Sequence, residues 1–68
     1  MNTLNKEELL NKYPVGAKVK LMFMDDPYAP PVGSIGTVKG VDDLGSILVQ
    51  WEKHGRLSIL SDDIIILI

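Results

Sequence analysis

From Ala17 the apolar residues fall at every second position, with Val19, Leu21 and Phe23 on one side and Lys18 and Lys20 on the other. That period of two predicts a half-buried β-strand, and Met22 and Met24 add apolar bulk to its outer side. Residues 34–41 predict a second strand, with Gly36, Val38 and Gly40 on one face, where small residues suit a tightly curved sheet. In a third, Ile47, Val49 and Trp51 point inward while Leu48, Gln50 and Glu52 point outward. Leu57 and Ile59 continue the core on a fourth strand. Residues 63–68 form a last strand that is apolar on both faces, so both sides are expected to be covered.

The intervals carry their own signals. Asn5 followed by Glu8 is an approximate capping box, and Leu4 with Leu9 is a hydrophobic staple, so a helix over residues 6–12 is expected. A helix this short melts unless Leu9 or Leu10 docks on something. Tyr13-Pro14-Val15-Gly16 stops it. Pro27, Pro30 and Pro31 make residues 25–33 one ordered loop, since proline cannot donate to a central ladder. Asp42-Asp43-Leu44-Gly45 has the form of a type I turn closed by a glycine at positive φ. Lys53-His54-Gly55 makes a second hairpin turn, and Ser61-Asp62 a tight corner. The order of elements describes a mainly β chain: a five-stranded SH3-like small barrel over residues 13–68, preceded by a short N-terminal helical arm over residues 1–12.

With 68 residues there is room for one domain. A chain of that size buries only about 60% of its unfolded surface, and one core supplies roughly 3–5 kcal/mol. Cysteine is absent, so neither a disulfide nor a thiolate metal site reinforces it, and self-association is the expected substitute. The formal charge of −2 has the wrong sign for a domain that holds nucleic acid by neutralising phosphates. The apolar run at residues 64–68 is far shorter than the roughly 20 residues of a spanning helix. A cytoplasmic protein that does not engage a membrane is the expectation.

Residues 13–60 also resemble a family of small proteins from phages and mobile elements of Gram-positive bacteria, described as a domain of unknown function. The resemblance rests on Tyr13-Pro14-Val15-Gly16, on Asp25-Asp26-Pro27-Tyr28-Ala29-Pro30-Pro31, on Gly36-Thr37-Val38, and on Val41-Asp42-Asp43 with Gly45, Ile47, Val49 and Trp51. It implies a small barrel and a bacterial host-cell setting, and supplies no site.

Three Asp pairs, Asp25-Asp26, Asp42-Asp43 and Asp62-Asp63, stand at predicted turns. Converging carboxylates bind hard cations or act as an acid and base, but Asp at a turn more often bonds nearby backbone amides, and that is the stronger reading. His54, the single histidine, has no partner nucleophile, so no enzyme, metal or cofactor is expected. Tyr28, Pro30 and Pro31, flanked by Asp25 and Asp26, either offer a stiff contact surface or fold back to pin their loop. Aromatics are too few for the groove that takes proline-rich peptides. Lys18, Lys20, Lys39 and Arg56 share an outer face that reads as solvated rather than as a nucleic-acid strip. Arg56 joins the loop residues as a candidate for a partner or ligand. Met22, Met24 and Leu48, joined by Ile65 and Leu67, either seat the helix or meet another copy. The expected function is a non-catalytic binding module acting on a protein partner or on itself. A counter-defence factor that blocks a host protein or sequesters a small nucleotide is the alternative, and nucleic-acid binding a weaker one.

Overall fold

The computed structural model describes residues 6–60 and 62–68, so Leu4, Asn5 and Ser61 lie outside the described residues. The elements are α1 (Lys6–Lys12), β1 (Lys18–Phe23), β2 (Ile35–Val41), β3 (Ile47–Trp51), β4 (Gly55–Arg56) and β5 (Ile64–Leu67). All five strands belong to one antiparallel sheet, in the order β4-β3-β2-β1-β5. The chain is therefore mainly β with a short helix, as its pattern predicts. The ladder is open: β4 and β5 are the two edges and do not pair with each other. The sheet nevertheless curls. Ile59, at one edge, and Ile65, at the other, share one buried cluster with Trp51 and Leu21, although a flat sheet would hold its edge strands roughly 19 Å apart at ~4.8 Å per strand.

The curl has a local cause at the centre of the sheet. Gly36 pairs with Val19 on one side and Trp51 on the other, so the three form a row across β1, β2 and β3. A Cβ at Gly36 would run into Val49 Cγ1 and would stand 2.8 Å from Trp51 Cε3. The missing side chain is what lets the indole lie against the strand. Trp51 is 1% exposed, and its Nε1–H donates to Leu57 O at 3.0 Å, so its one polar atom is satisfied inside the core.

Two bulges change the faces expected from simple alternation. In β2 the register with β3 shifts between Val38 and Gly40. Val41 (5% exposed) joins the core, while a Cβ at Gly40 would meet only Leu48 Cδ1 at 4.0 Å, so Gly40 does not clear a crossing strand as Gly36 does. In β1 the register with β5 shifts between Leu21 and Phe23. An extra residue reverses the side on which the following side chains point. Phe23, expected inside, is 49% exposed, and Met24, expected outside, packs against the core.

Helix α1 spans the residues its sequence predicts and docks on its own chain. Leu9, Leu10 and Tyr13 pack against the core, and the helix contacts β2. Tyr13 N–H donates to Leu9 O at 2.7 Å, and the turn that follows has Gly16 at φ 92° with Ala17 N–H donating to Pro14 O at 2.9 Å. The fourth strand is shorter than expected. β4 is two residues long, and Ile59 reaches β3 by an isolated bridge to Ile47.

The two glycines of β2 give a direct check by urea denaturation. Gly36→Ala forces Val49 and Trp51 apart and is expected to cost roughly 1–3 kcal/mol, as overpacking a core does. Gly40→Ala, whose Cβ would make only an ordinary contact with Leu48, is expected to stay within about 1 kcal/mol of the parent. Equal losses in both variants would contradict the account of the curl.

Candidate functional site

The proline loop is ordered by two successive turns. In the first, Asp26 Oδ1 accepts from Tyr28 N–H at 2.7 Å and Asp26 O from Ala29 N–H at 3.0 Å. In the second, Pro31 O accepts from Ser34 N–H at 3.0 Å and Ser34 Oγ–H at 2.6 Å, with Gly33 at φ 95°, the geometry of a type II turn. Gly33 N–H then donates to Leu21 O, and Leu21 N–H to Ser34 O, stitching the loop to β1. Pro30 is buried, so it anchors the loop and is not available to a partner, contrary to its place among the candidate contact residues. Tyr28 is 86% exposed and does not fold back. Asp25, Asp26 and Pro31 are exposed beside it.

Each Asp pair commits one carboxylate to the backbone. Besides Asp26, Asp42 Oδ1 accepts from Leu44 N–H (3.0 Å) and Ser46 N–H (2.9 Å), and Asp63 Oδ2 accepts from Leu60 N–H (2.9 Å). Gly45 lies at φ 84° with its N–H on Asp42 O, so the turn has its expected form. Among the described residues Asp43 meets only Lys6, at 3.3 Å on an exposed surface. Among the described residues no three of His, Cys, Asp and Glu stand close enough to hold a metal ion. His54 is exposed in the turn before β4, where Lys53 carries the positive φ of 69°.

On the outer face a polar row crosses four strands in register, Lys18 to Thr37 to Gln50 to Arg56. Lys18 Nζ–H donates to Thr37 Oγ1 at 2.7 Å, and Arg56 Nε–H to Gln50 Oε1 at 3.1 Å. Glu52 lies 3.9 Å from Lys18, so the expected basic strip is interrupted by acid at one end. Its other end opens into a cleft of about 360 Å³ lined by Lys39, Leu48, Val49, Arg56, Leu57 and Ser58. Its lining combines two cations and a hydroxyl with the apolar side chains of Leu48, Val49 and Leu57. Alternation already places Lys39, Leu48, Gln50 and Arg56 outward. What it does not give is the register that sets β2, β3 and β4 side by side.

Of the five residues expected at an interface, Met22 (41% exposed), Leu48 (38%) and Leu67 (48%) are at the surface. The other two are corrected. Ile65 is 8% exposed because β5 turns it inward opposite Leu21, and Met24 is carried onto the core by the bulge in β1. Phe23, Ile64, Ile66 and Ile68 are exposed in their place, and among the described residues α1 contacts β2 rather than covering the second face of β5.

Residues 3–67 match a family described as a domain of unknown function (DUF4314). Neither a curated protein nor a solved structure matches the chain.

The two Asp42 amide bonds set an expectation for thermal or chemical denaturation. Asp42→Ala leaves the part-buried Ser46 amide without its acceptor, while water can take over the exposed Leu44 amide, and is expected to lose roughly 1–3 kcal/mol. Asp43→Ala removes only an exposed pair and is expected to leave the midpoint unchanged.

Proposed function

We propose that this chain, which belongs to the DUF4314 family of unknown function, is a non-catalytic SH3-like binding module that acts by contact with a protein partner. The observation that carries the reading is Tyr28, 86% exposed at the tip of a loop held by the Asp26 turn, the Pro31–Ser34 turn and buried Pro30. A large aromatic on a rigid support presents contact area that has little further entropy to lose. Among the described residues Tyr28 is not one of the side chains packed on the core. The sheet order and the long loop after β1 support the SH3-like reading. The setting we propose, a phage or mobile element acting in the cytoplasm of a bacterial host, rests on the motifs of that loop and of β2.

A second reading is favoured by the cleft at Lys39, Leu48, Arg56 and Ser58. In it the protein captures a small nucleotide, as a counter-defence factor would, with the cations on phosphate and the base over Leu48 and Leu57.

The first reading is tested by immobilising the parent and Tyr28→Ala and exposing both to extract of a Gram-positive host. At least one protein is expected on the parent and lost from Tyr28→Ala, while the two forms melt together. An identical retained set, or a Tyr28→Ala variant that is unfolded, contradicts it. The second reading is tested by thermal shift against a panel of nucleotides. A nucleotide present at about 100 times its dissociation constant adds ~2.7 kcal/mol, a large share of the stability expected of one small core. Arg56→Ala is expected to abolish the shift, and a panel without any shift removes this reading.

A further inference from the structure

Strand β5, four residues long, occupies an edge of the sheet and carries no charge, proline or bulge of its own, and no helix or strand among the described residues covers that edge. Such strands are normally blunted by charge, proline or a bulge in the edge strand itself. β5 reads Ile-Ile-Ile-Leu, and the irregularity in its ladder lies on β1. The opposite edge, β4, is only two residues long and carries Arg56.

The register fixes which backbone groups are free. Ile68 N–H donates to Lys18 O at 3.1 Å, and the paired positions run Val19 with Leu67, Lys20 with Ile66 and Leu21 with Ile65. Hydrogen-bonded pairs alternate along an antiparallel ladder, so Ile66 and Ile68 turn their amides toward β1. Ile65 and Leu67 therefore turn theirs to the open edge. Ile64, Ile66, Leu67 and Ile68, 44–63% exposed, flank those groups. These four side chains expose on the order of 400 Å² on each copy, so two copies bring together at most roughly 800 Å² besides the strand backbones, less than the ~1,000 Å² of a stable specific interface and suited to a weak, concentration-dependent dimer.

We propose that a second copy of the chain adds to this edge, β5 against β5, antiparallel about a twofold axis through the Ile66 pair. That register lets Ile65 and Leu67 of each copy exchange backbone hydrogen bonds with Leu67 and Ile65 of the other. It sets Ile66 opposite itself and Ile64 opposite Ile68, and it matches the apolar run at residues 64–68 to itself. A register centred on Ile65 instead sets Asp63 opposite Leu67, although the Asp63 amide and carboxylate are already engaged with Leu60. The seam lies on β5 and Tyr28 on the loop after β1, so this proposal and the proposed function stand or fall separately.

The absence of cysteine makes the test clean, because each single-cysteine variant reports one position. Ile66→Cys is expected to form a disulfide-linked dimer under mild oxidation, since facing non-hydrogen-bonded residues lie ~4.5 Å apart at Cα, within disulfide range. Ile64→Cys alone is expected to form no disulfide-linked dimer under the same conditions but to cross-link when mixed with Ile68→Cys. Leu44→Cys, on a turn 89% exposed, controls for collision. Sedimentation of the unoxidised parent is expected to show a dimer that Ile66→Glu dissociates without unfolding. A parent that sediments as a monomer at every concentration overturns the proposal. So does Ile66→Cys linking no faster than Leu44→Cys, or a dimer whose preferred cross-link is at Leu48→Cys.

Discussion

The contact on which the structure depends is that of the Trp51 indole with the bare backbone of Gly36. Trp51 is among the largest fully buried side chains, and it ends a row that begins at Val19 and passes through Gly36. Were a side chain present at Gly36, β2 and the indole would have to separate, and the sheet would lose the close approach at its centre. Because the approach is close, Ile59 and Ile65 from opposite edges meet one core, and 68 residues suffice to enclose it. The same curl disposes the outer face. It carries the polar row from Lys18 to Arg56 on one side and leaves the apolar edge of β5 on the other.

Much of this is legible without coordinates, and the reason is the period of two. Val19, Leu21, Ile47, Val49 and Trp51 alternate with polar or exposed neighbours, and all five are buried. The turns are equally legible, because Asp42 and Gly45 each solve a specific backbone problem that few other residues solve as well. The bulges are not legible. Nothing in Met22-Phe23-Met24 marks one of the three as extra, so a strict alternation puts Phe23 inside and Met24 outside, the reverse of what the register with β5 imposes. The bulge beside Gly40 has the same effect, and only there does a glycine hint at it.

The candidate site divides along the same line. Proline spacing is enough to infer that residues 25–33 form an ordered loop, but it does not separate a buried proline from an exposed one. That distinction arises from the paired turns that lower Pro30 onto the fold and raise Tyr28 into solvent. For β5 the sequence shows two apolar faces. Which of them the chain covers depends on where α1 docks, and α1 goes to β2. The cleft at Lys39 and Arg56 exists only because three strands are in register, and a pairwise register is a long-range property that short-range patterning does not contain.

The central claim, that Trp51 is seated directly on Gly36, has a direct spectroscopic reading. In a proton NMR spectrum of the native chain, the account predicts Gly36 α-protons displaced strongly upfield by the indole ring current. It also predicts nuclear Overhauser contacts from them to the Trp51 ring and a Val49 methyl group, together with slow exchange of the Trp51 indole N–H bonded to Leu57 O. Gly36 α-protons at ordinary glycine positions, without contacts to the ring, would contradict it.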